Sequence, residues 1–335
     1  MRGWFLVVLL LAAGQGQALA WGGKGHRLIG ELAMKTLPPE APAFLKTPEA
    51  VWRIGQLAQE PDISRGAGQP HDWDLDPGHF VDGMDDGSIL GGPRLDALPP
   101  SRRDYDTALR AVGTNQYQAG FLPYNLMGGW QQLVKDFALV RLNRAALKHA
   151  DRFRMTAAQR KDYARALDLR QAITVHDLGV WSHFVGDASQ PLHVSIHYDG
   201  WGEGANPAGY GTQKGLHAKF ETDFVDAHIS QADIAARLTP YRPCACAVAR
   251  RVQDYLLESW RQVTPLYDLD KAGGFDAPTP DSRGFAAARI AVAASTLRDL
   301  VADAWRASAE STLGYKVRLT VADLEAGRAD PRTFE

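Results

Sequence analysis

HDLGVWSHFVGDASQPLH, residues 176–193, is the stretch around which the chain reads most clearly. His183 and Asp187 stand four residues apart, so on a helix their side chains share one face, one turn apart. Pro191 cannot extend that helix, so the chain turns near Gln190 and brings His193 back beside the same end. A satisfied core histidine or a helix cap accounts for any one of these residues. Three nitrogen and oxygen donors within eleven residues describe a metal site better than a core.

Helical patterning continues on both sides. Leu126, Trp130, Leu133, Phe137 and Val140 recur at three- and four-residue steps, predicting a long helix over 124–149. Arg144 interrupts that stripe before Leu147 resumes it. Further helices are expected at 157–168, 170–189, 215–237, 244–261 and 283–312. Nearer the N-terminus, one runs through Leu28, Ile29, Leu32, Ala33 and Thr36 until Pro38 and Pro39 stop it, and a second covers 50–59. Residues 61–101 are rich in Gly, Pro and Asp without sustained periodicity, which inside a compact domain marks a functional loop. Residues 200–215 and 270–282 are shorter turn-rich inserts. Alternating β patterns are nearly absent and no repeat is found, so the expected fold is a single all-α domain, a multi-helix bundle with long irregular loops.

The ends and the composition narrow the setting. Arg2, the apolar run 4–13 and Ala18-Leu19-Ala20 before Trp21 read as a secretory signal peptide over 1–20, too short to span as an anchor. Cleavage between Ala20 and Trp21 leaves a functional domain over 21–335 in a periplasmic or extracellular space. A formal charge of -2 argues against broad electrostatic adhesion to nucleic acid, though not against a nuclease whose cations are metals. Cys244 and Cys246 are the two cysteines. A bridge between such near neighbours is expected to be strained, so they read as free or intermolecularly reactive thiols, and stability rests on a core, on metals, or on both.

More candidate ligands lie in short contexts. His217 and Glu221 repeat the four-residue spacing; Asp76-Pro-Gly-His79-Phe80-Val-Asp82 sits in the irregular loop; Glu60-Pro-Asp62-Ile-Ser-Arg65 follows the second helix; His26 comes five residues after Trp21. Five of the ten histidines (His26, His79, His183, His193, His217) fall in these contexts. For His71, His149, His176, His197 and His228, loop, surface or supporting roles suffice.

Taken in order, W-G-x-x-G-H from Trp21, the Asp before the loop, H-F-x-D, H-F-x-G-D-x-x-Q-P-L-H and H-x-x-x-E resemble one superfamily. It joins bacterial zinc-dependent phospholipases C to the single-strand-specific zinc nucleases of the mung bean type. The resemblance runs from Trp21 to Glu221. It implies a trinuclear zinc site in an α-helical domain: Asp62, His79, His183 and Asp187 on one zinc; His193, His217 and Glu221 on a second; the α-amino nitrogen and carbonyl oxygen of Trp21, with His26 and a bridging Asp187, on a third. The donors are zinc-type, and a terminal amine with a reference pKa of roughly 7.7–8.0 is deprotonated at little cost near neutral pH.

Three divalent ions suit phosphodiester hydrolysis by a water acidified at zinc. In that scheme Asp62 orients the water as well as binding metal, and Arg65 either places its guanidinium on the phosphoryl oxygens or is a solvated loop arginine. In the nucleases the residue matching Phe80 stacks a base and that matching Asp82 hydrogen-bonds it, which suits an unpaired nucleotide. Glu221 departs from the nucleases' usual Asp, the run 217–226 looks more like the phospholipases, and 194–215 lacks the nucleases' Gly-Gly-Asn. A single-strand-preferring endonuclease and 3′-nucleotidase, leaving 5′-phosphate products, is nevertheless favoured. Its substrates are single-stranded nucleic acid or nucleotides; the alternative is a phospholipase C acting on phosphatidylcholine-like head groups. An inactive exported zinc-binding protein fits less well, because every ligand position is filled. No stable protein partner is expected.

Overall fold

The computed structural model of the chain describes residues 21–202 and 204–334, so the expected signal peptide lies outside the described residues. Six helices among them reach ten residues or more: α1 (Gly22–Lys35), α2 (Pro48–Leu57), α3 (Leu122–Lys148), α4 (Ala157–Asp187), α5 (Val248–Trp260) and α6 (Pro280–Ala307). Their strand counterpart is one antiparallel pair of two-residue strands, Thr312–Leu313 against Leu319–Thr320. The fold is all-α, as the periodicity implies.

The long helices bury the faces that the sequence marks. Leu126, Leu133, Phe137 and Val140 of α3 are all core residues, and Trp130 donates its indole N–H to the Leu300 carbonyl of α6 at 3.1 Å. Arg144, the interruption in that stripe, lies over the rings of Phe44 and Trp305, so its charge is met by aromatic faces. Helix α6 begins at Thr279, whose hydroxyl and Ser282 form a capping box, with Pro280 at the first turn. Its alanines at 286, 287, 291, 293 and 294 are buried, which lets other helices approach it from several sides.

Three expectations need correction. The predicted helices over 157–168 and 170–189 are one 31-residue helix, α4. Its buried residues begin only at Thr174. The apolar stripe therefore lapses in the first half, while the helix-favouring Ala, Arg, Leu and Gln there keep the backbone helical. The helix expected over 215–237 is broken into Leu216–Ala218, a π-helical segment Lys219–Phe224, Val225–His228 and Gln231–Ala235. Ser230 starts the last of these as its capping residue. Cys244 and Cys246 are not free thiols but bridged to each other, their Cα atoms 5.2 Å apart and within the reach of a disulfide despite the single intervening residue.

The last turn of α4 is tied from three directions. Tyr255 of α5 donates its hydroxyl to the Val185 carbonyl at 2.7 Å, and the Trp21 indole N–H reaches the Gly186 carbonyl at 2.9 Å. Just beyond the helix, Arg289 of α6 donates Nε to the Ser189 carbonyl at 2.9 Å while Nη2 bonds Glu258 and Ser259, each at 2.8 Å. Arg289 is buried and Glu258 half exposed, so the carboxylate can regain water but the Ser189 carbonyl and Ser259 hydroxyl cannot. Replacing Arg289 with Leu is expected to cost about 2–4 kcal/mol, read as a lower urea midpoint at unchanged m-value; an unshifted midpoint means that the tie is not structural.

Candidate metal centre

Six separate segments deliver the expected ligands to one place. His26 comes from α1, Asp62 from the short turn Glu60–Ile63, His79 from the 3-10 turn Asp76–His79, and His183 and Asp187 from the end of α4. After Pro191, the 3-10 turn Pro191–Val194 presents His193. His217 and Glu221 flank the start of the π-helical segment, a form that recurs at functional sites. All eight residues are buried.

Their donor atoms form three groups that are able to hold a metal: His26, His183 and Asp187; Asp62, His79 and His183; His193, His217 and Glu221. In the middle group His79 Nδ1 lies 2.9 Å from His183 Nε2, and His183 Nε2 lies 3.8 Å from Asp62 Oδ1. Asp187 divides its oxygens. Oδ2 is 3.1 Å from His79 Nδ1 and 3.3 Å from His183 Nε2, whereas Oδ1 is 3.4 Å from His26 Nε2. In the third group His217 Nε2 is 2.8 Å from Glu221 Oε2 and 3.0 Å from His193 Nε2. Tetrahedral zinc with bonds of roughly 2.0–2.1 Å sets its ligand atoms about 3.3 Å apart, and the observed spacings bracket that value.

Hydrogen bonds on the far side of the rings decide what faces inward. His183, His193 and His217 each turn Nδ1 to a backbone carbonyl, of Ala58, His79 and Tyr198, at 2.9, 2.8 and 2.9 Å. A carbonyl only accepts, so Nδ1 carries the proton and Nε2 presents a lone pair to the centre. Two such lone pairs meet at 3.0 Å between His193 and His217. Asp187 Oδ1 and Glu221 Oε1 are buried with no hydrogen-bond partner among the described residues. Converging lone pairs and carboxylate oxygens repel one another unless a cation lies among them, so the donor set fits a metal.

Titration follows from the same geometry. Burial pushes the Asp62 carboxyl up to about 7, against the opposing pull of Arg65, and raises Asp187 well above the carboxylate range. Burial holds His79 and His183 well below the usual imidazole value, with neighbouring cations adding to it. For Glu221 burial acts upward, but the charge on His217 and the hydrogen bonds that His193 and His217 donate when Nε2 takes a proton in place of a cation bring it down to about 2. His217 is raised, the attraction of Glu221 outweighing burial.

Arg65 is not a solvated arginine. Its side chain is largely covered, with Nη1 3.5 Å from Asp62 Oδ1 and Nε 3.2 Å from Asp76 Oδ1. It lines a cavity of about 370 Å³ together with His79, His193 and His217, and the other walls include Phe80, Asp82, Gln118 and Tyr198. Phe80 and Asp82 thus share a cavity with three of the candidate ligands, and burial raises the Asp82 carboxyl to about 7. Trp21 is fully buried against Phe220, with its carbonyl accepting the Gly25 N–H at 3.0 Å. Its predicted role as a terminal ligand depends on cleavage at a bond whose upstream side is outside the described residues.

Sequence reading missed Gln190. Its Nε2 donates to Glu221 Oε2 at 2.9 Å while its Oε1 accepts the Leu192 N–H at 2.7 Å, so it aims the carboxylate and shapes the turn before His193. Its place in the Q-P-L-H run was the available signal. Gln118 and Tyr198 belong to none of the ligand motifs, and only the fold brings them to the cavity.

Two measurements bear on this centre. Asp187 faces donors of two groups, Oδ1 toward His26 and Oδ2 toward His79 and His183, whereas Glu221 faces those of one. Asp187→Ala is therefore expected to lower bound metal, counted by elemental analysis, by more than Glu221→Ala does; equal losses would remove the bridging role. The second is protonic. Asp62 holds its proton at pH 6 in the metal-free protein because burial pushes it up to about 7, and Asp187 is raised too, yet both must ionise to bind a cation. Metal titration at pH 6 is expected to release protons, seen as a binding enthalpy that scales with the buffer's ionisation enthalpy. Affinity should weaken as the pH falls. An enthalpy independent of the buffer contradicts this.

No family model matches the chain. It is similar to Endonuclease 4 of Arabidopsis thaliana, 22% identical over 286 residues that cover 84% of this chain and 78% of the relative. Among solved structures it resembles the alpha toxin of Clostridium absonum, with a TM-score of 0.40 and 14% identity, covering 87% of this chain and 67% of that one. It also resembles the Clostridium perfringens alpha-toxin from the avian strain SWCP, with a TM-score of 0.36 and 14% identity, covering 88% and 68%. At that looseness of superposition no residue of the toxins is paired with one of this chain. With its ligand motifs in order and their donors gathered at one centre, the chain fits the superfamily that joins the zinc-dependent phospholipases C to the single-strand-specific zinc nucleases.

Proposed function

We propose that this protein is an exported, zinc-dependent phosphodiester hydrolase acting on single-stranded nucleic acid and on 3′-nucleotides. The observation that carries the choice of substrate is the cavity beside the metal centre. It is lined both by Arg65, His79, His193 and His217 and by Phe80, Asp82, Gln118 and Tyr198. A phosphate placed beside Arg65 and the histidines leaves its nucleoside in the same cavity as aromatic rings and hydrogen-bonding groups. The similarity to a plant endonuclease supports this reading. Export rests on the apolar run 4–13 and the Ala18-Leu19-Ala20 tripeptide.

Zinc held by the three groups, with Trp21 joining His26 and Asp187 after cleavage, would supply Lewis acidity toward phosphoryl oxygens and acidify water. The chain's own residues do the rest. Asp62 orients water and accepts its proton from a position next to His183. Arg65 points its fixed fork of N–H donors at oxygens that gain charge as the ester breaks. Phe80 stacks the base, and Asp82 bonds its polar edge. Recognition at the base and charge stabilisation at the phosphate thus fall to different residues.

A second reading is a phospholipase C acting on phosphatidylcholine-like lipids, and one observation favours it. Trp73 and Leu75, on the short helix His71–Leu75, are 69% and 50% exposed. Leu75 also lines a cleft of about 540 Å³ that shares His79 with the first cavity and is walled by Phe121, Trp181 and Phe184. Exposed apolar side chains beside a site suit a lipid surface. Side-by-side assays on single-stranded DNA, RNA, a 3′-nucleotide and phosphatidylcholine vesicles separate the two. Turnover of the first three is expected; turnover of the vesicles alone overturns the nuclease reading. On the preferred substrate, Arg65→Ala is expected to lower kcat by roughly 10²–10³ with metal content retained.

A further inference from the structure

Gln118 and Tyr198 line the cavity with Phe80 and Asp82, yet lie outside every motif that carries the family resemblance. A chain of hydrogen bonds sets the orientation of Gln118. Asn115 caps the short turn Gln116–Ala119, its Oδ1 accepting the backbone N–H groups of Tyr117 and Gln118 at 2.9 and 3.2 Å. The other end of that amide, Nδ2, is therefore the donor, and it donates to Gln118 Oε1 at 2.7 Å. With Oε1 taken, what Gln118 has left for a ligand is Nε2 and its two N–H groups. Asp82 is its close neighbour, because the Asp82 backbone N–H donates to the Ala119 carbonyl at 2.9 Å.

Tyr198 is held differently. Its carbonyl accepts His217 Nδ1 at 2.9 Å, and the next side chain, Asp199 Oδ1, accepts the backbone N–H groups of Gly215 and His217 at 2.7 and 3.1 Å. The backbone is thus bolted to a metal-centre histidine while Tyr198 as a residue remains 51% exposed and lines the cavity. A fixed backbone carrying an exposed tyrosine is a preformed platform that gives up little entropy on binding.

We propose that Gln118 and Tyr198 determine specificity for an unpaired nucleobase. Tyr198 offers a stacking face additional to Phe80, and Gln118 donates Nε2–H to the acceptor on the base edge whose neighbouring N–H is taken by Asp82. Each base carries adjacent donor and acceptor groups on its Watson–Crick edge, and a duplex occupies that edge; a site that needs it takes single strands. The proposal rests on the nuclease reading and names the residues that would enforce it.

The test compares dissociation constants of the zinc-loaded protein for 5′-dAMP and for deoxyribose 5-phosphate, by calorimetry. The wild-type protein should bind the nucleotide more tightly, and the ratio of the two constants reports the base. Tyr198→Ala is expected to shrink that ratio roughly five- to hundredfold, with Tyr198→Phe keeping most of it. Gln118→Glu, which exchanges a donor for an acceptor, should shrink it roughly five- to tenfold. A wild-type ratio near one overturns the nucleotide reading and this proposal with it. A large wild-type ratio that Tyr198→Ala and Gln118→Glu both keep within about twofold overturns the proposal alone. Equal weakening of both ligands also overturns it, because the residues then act on the phosphate side or on the fold.

Discussion

The end of α4 is the constraint on which the rest depends. A helix C-terminus leaves carbonyls without intrahelical donors, and here side chains from distant parts of the chain help to satisfy that end. The Tyr255 hydroxyl takes the Val185 carbonyl, the Trp21 indole takes that of Gly186, and the Arg289 guanidinium takes that of Ser189 just beyond. These ties join α5, the start of α1 and α6 to one turn. That turn carries His183 and Asp187, so the same bonds that close the helix locate the two residues from which all the first and second groups of donors are measured. Gly186 between them has no room for a side chain: a Cβ there would come within 2.9 Å of His26 Nδ1.

What that turn organises is electrostatically expensive. Asp62, Asp187 and Glu221 are buried among five imidazoles, and three of those imidazoles have their protons committed to backbone carbonyls. The interior therefore faces itself with acceptors. Protons relieve part of this, which is why burial keeps Asp62 protonated up to about 7 and why His217 is raised beside Glu221. Divalent cations relieve it more completely and replace those protons. The adjoining cavity brings polar groups of the centre and the aromatic rings of Phe80 and Tyr198 into one lining.

How much of this is legible in the chain depends on distance along it. His183 with Asp187, and His217 with Glu221, are readable because four residues make one helical turn, and the spacing survives even where the second pair meets a π-helical segment. Pro191 announces its turn, and the apolar stripe of α3 announces its core face. The continuity of α4 was hidden because its first half is solvent-facing and carries no stripe to read. The Cys244–Cys246 bridge was misread because sequence separation does not give the Cα distance.

By itself the sequence determined the helical class and the order of the candidate ligands, since these follow from local periodicity, proline and the succession of motifs. Only the tertiary structure decided which donors lie close enough to share an ion, that Asp187 divides its two oxygens between groups, that Gln190 aims Glu221, and that Asn115 occupies the acceptor end of Gln118. Each of those depends on a separation of a few ångströms between residues 31 to 161 positions apart, or on the far end of a hydrogen-bond chain. Patterning cannot encode such distances, because they are set by how whole helices pack.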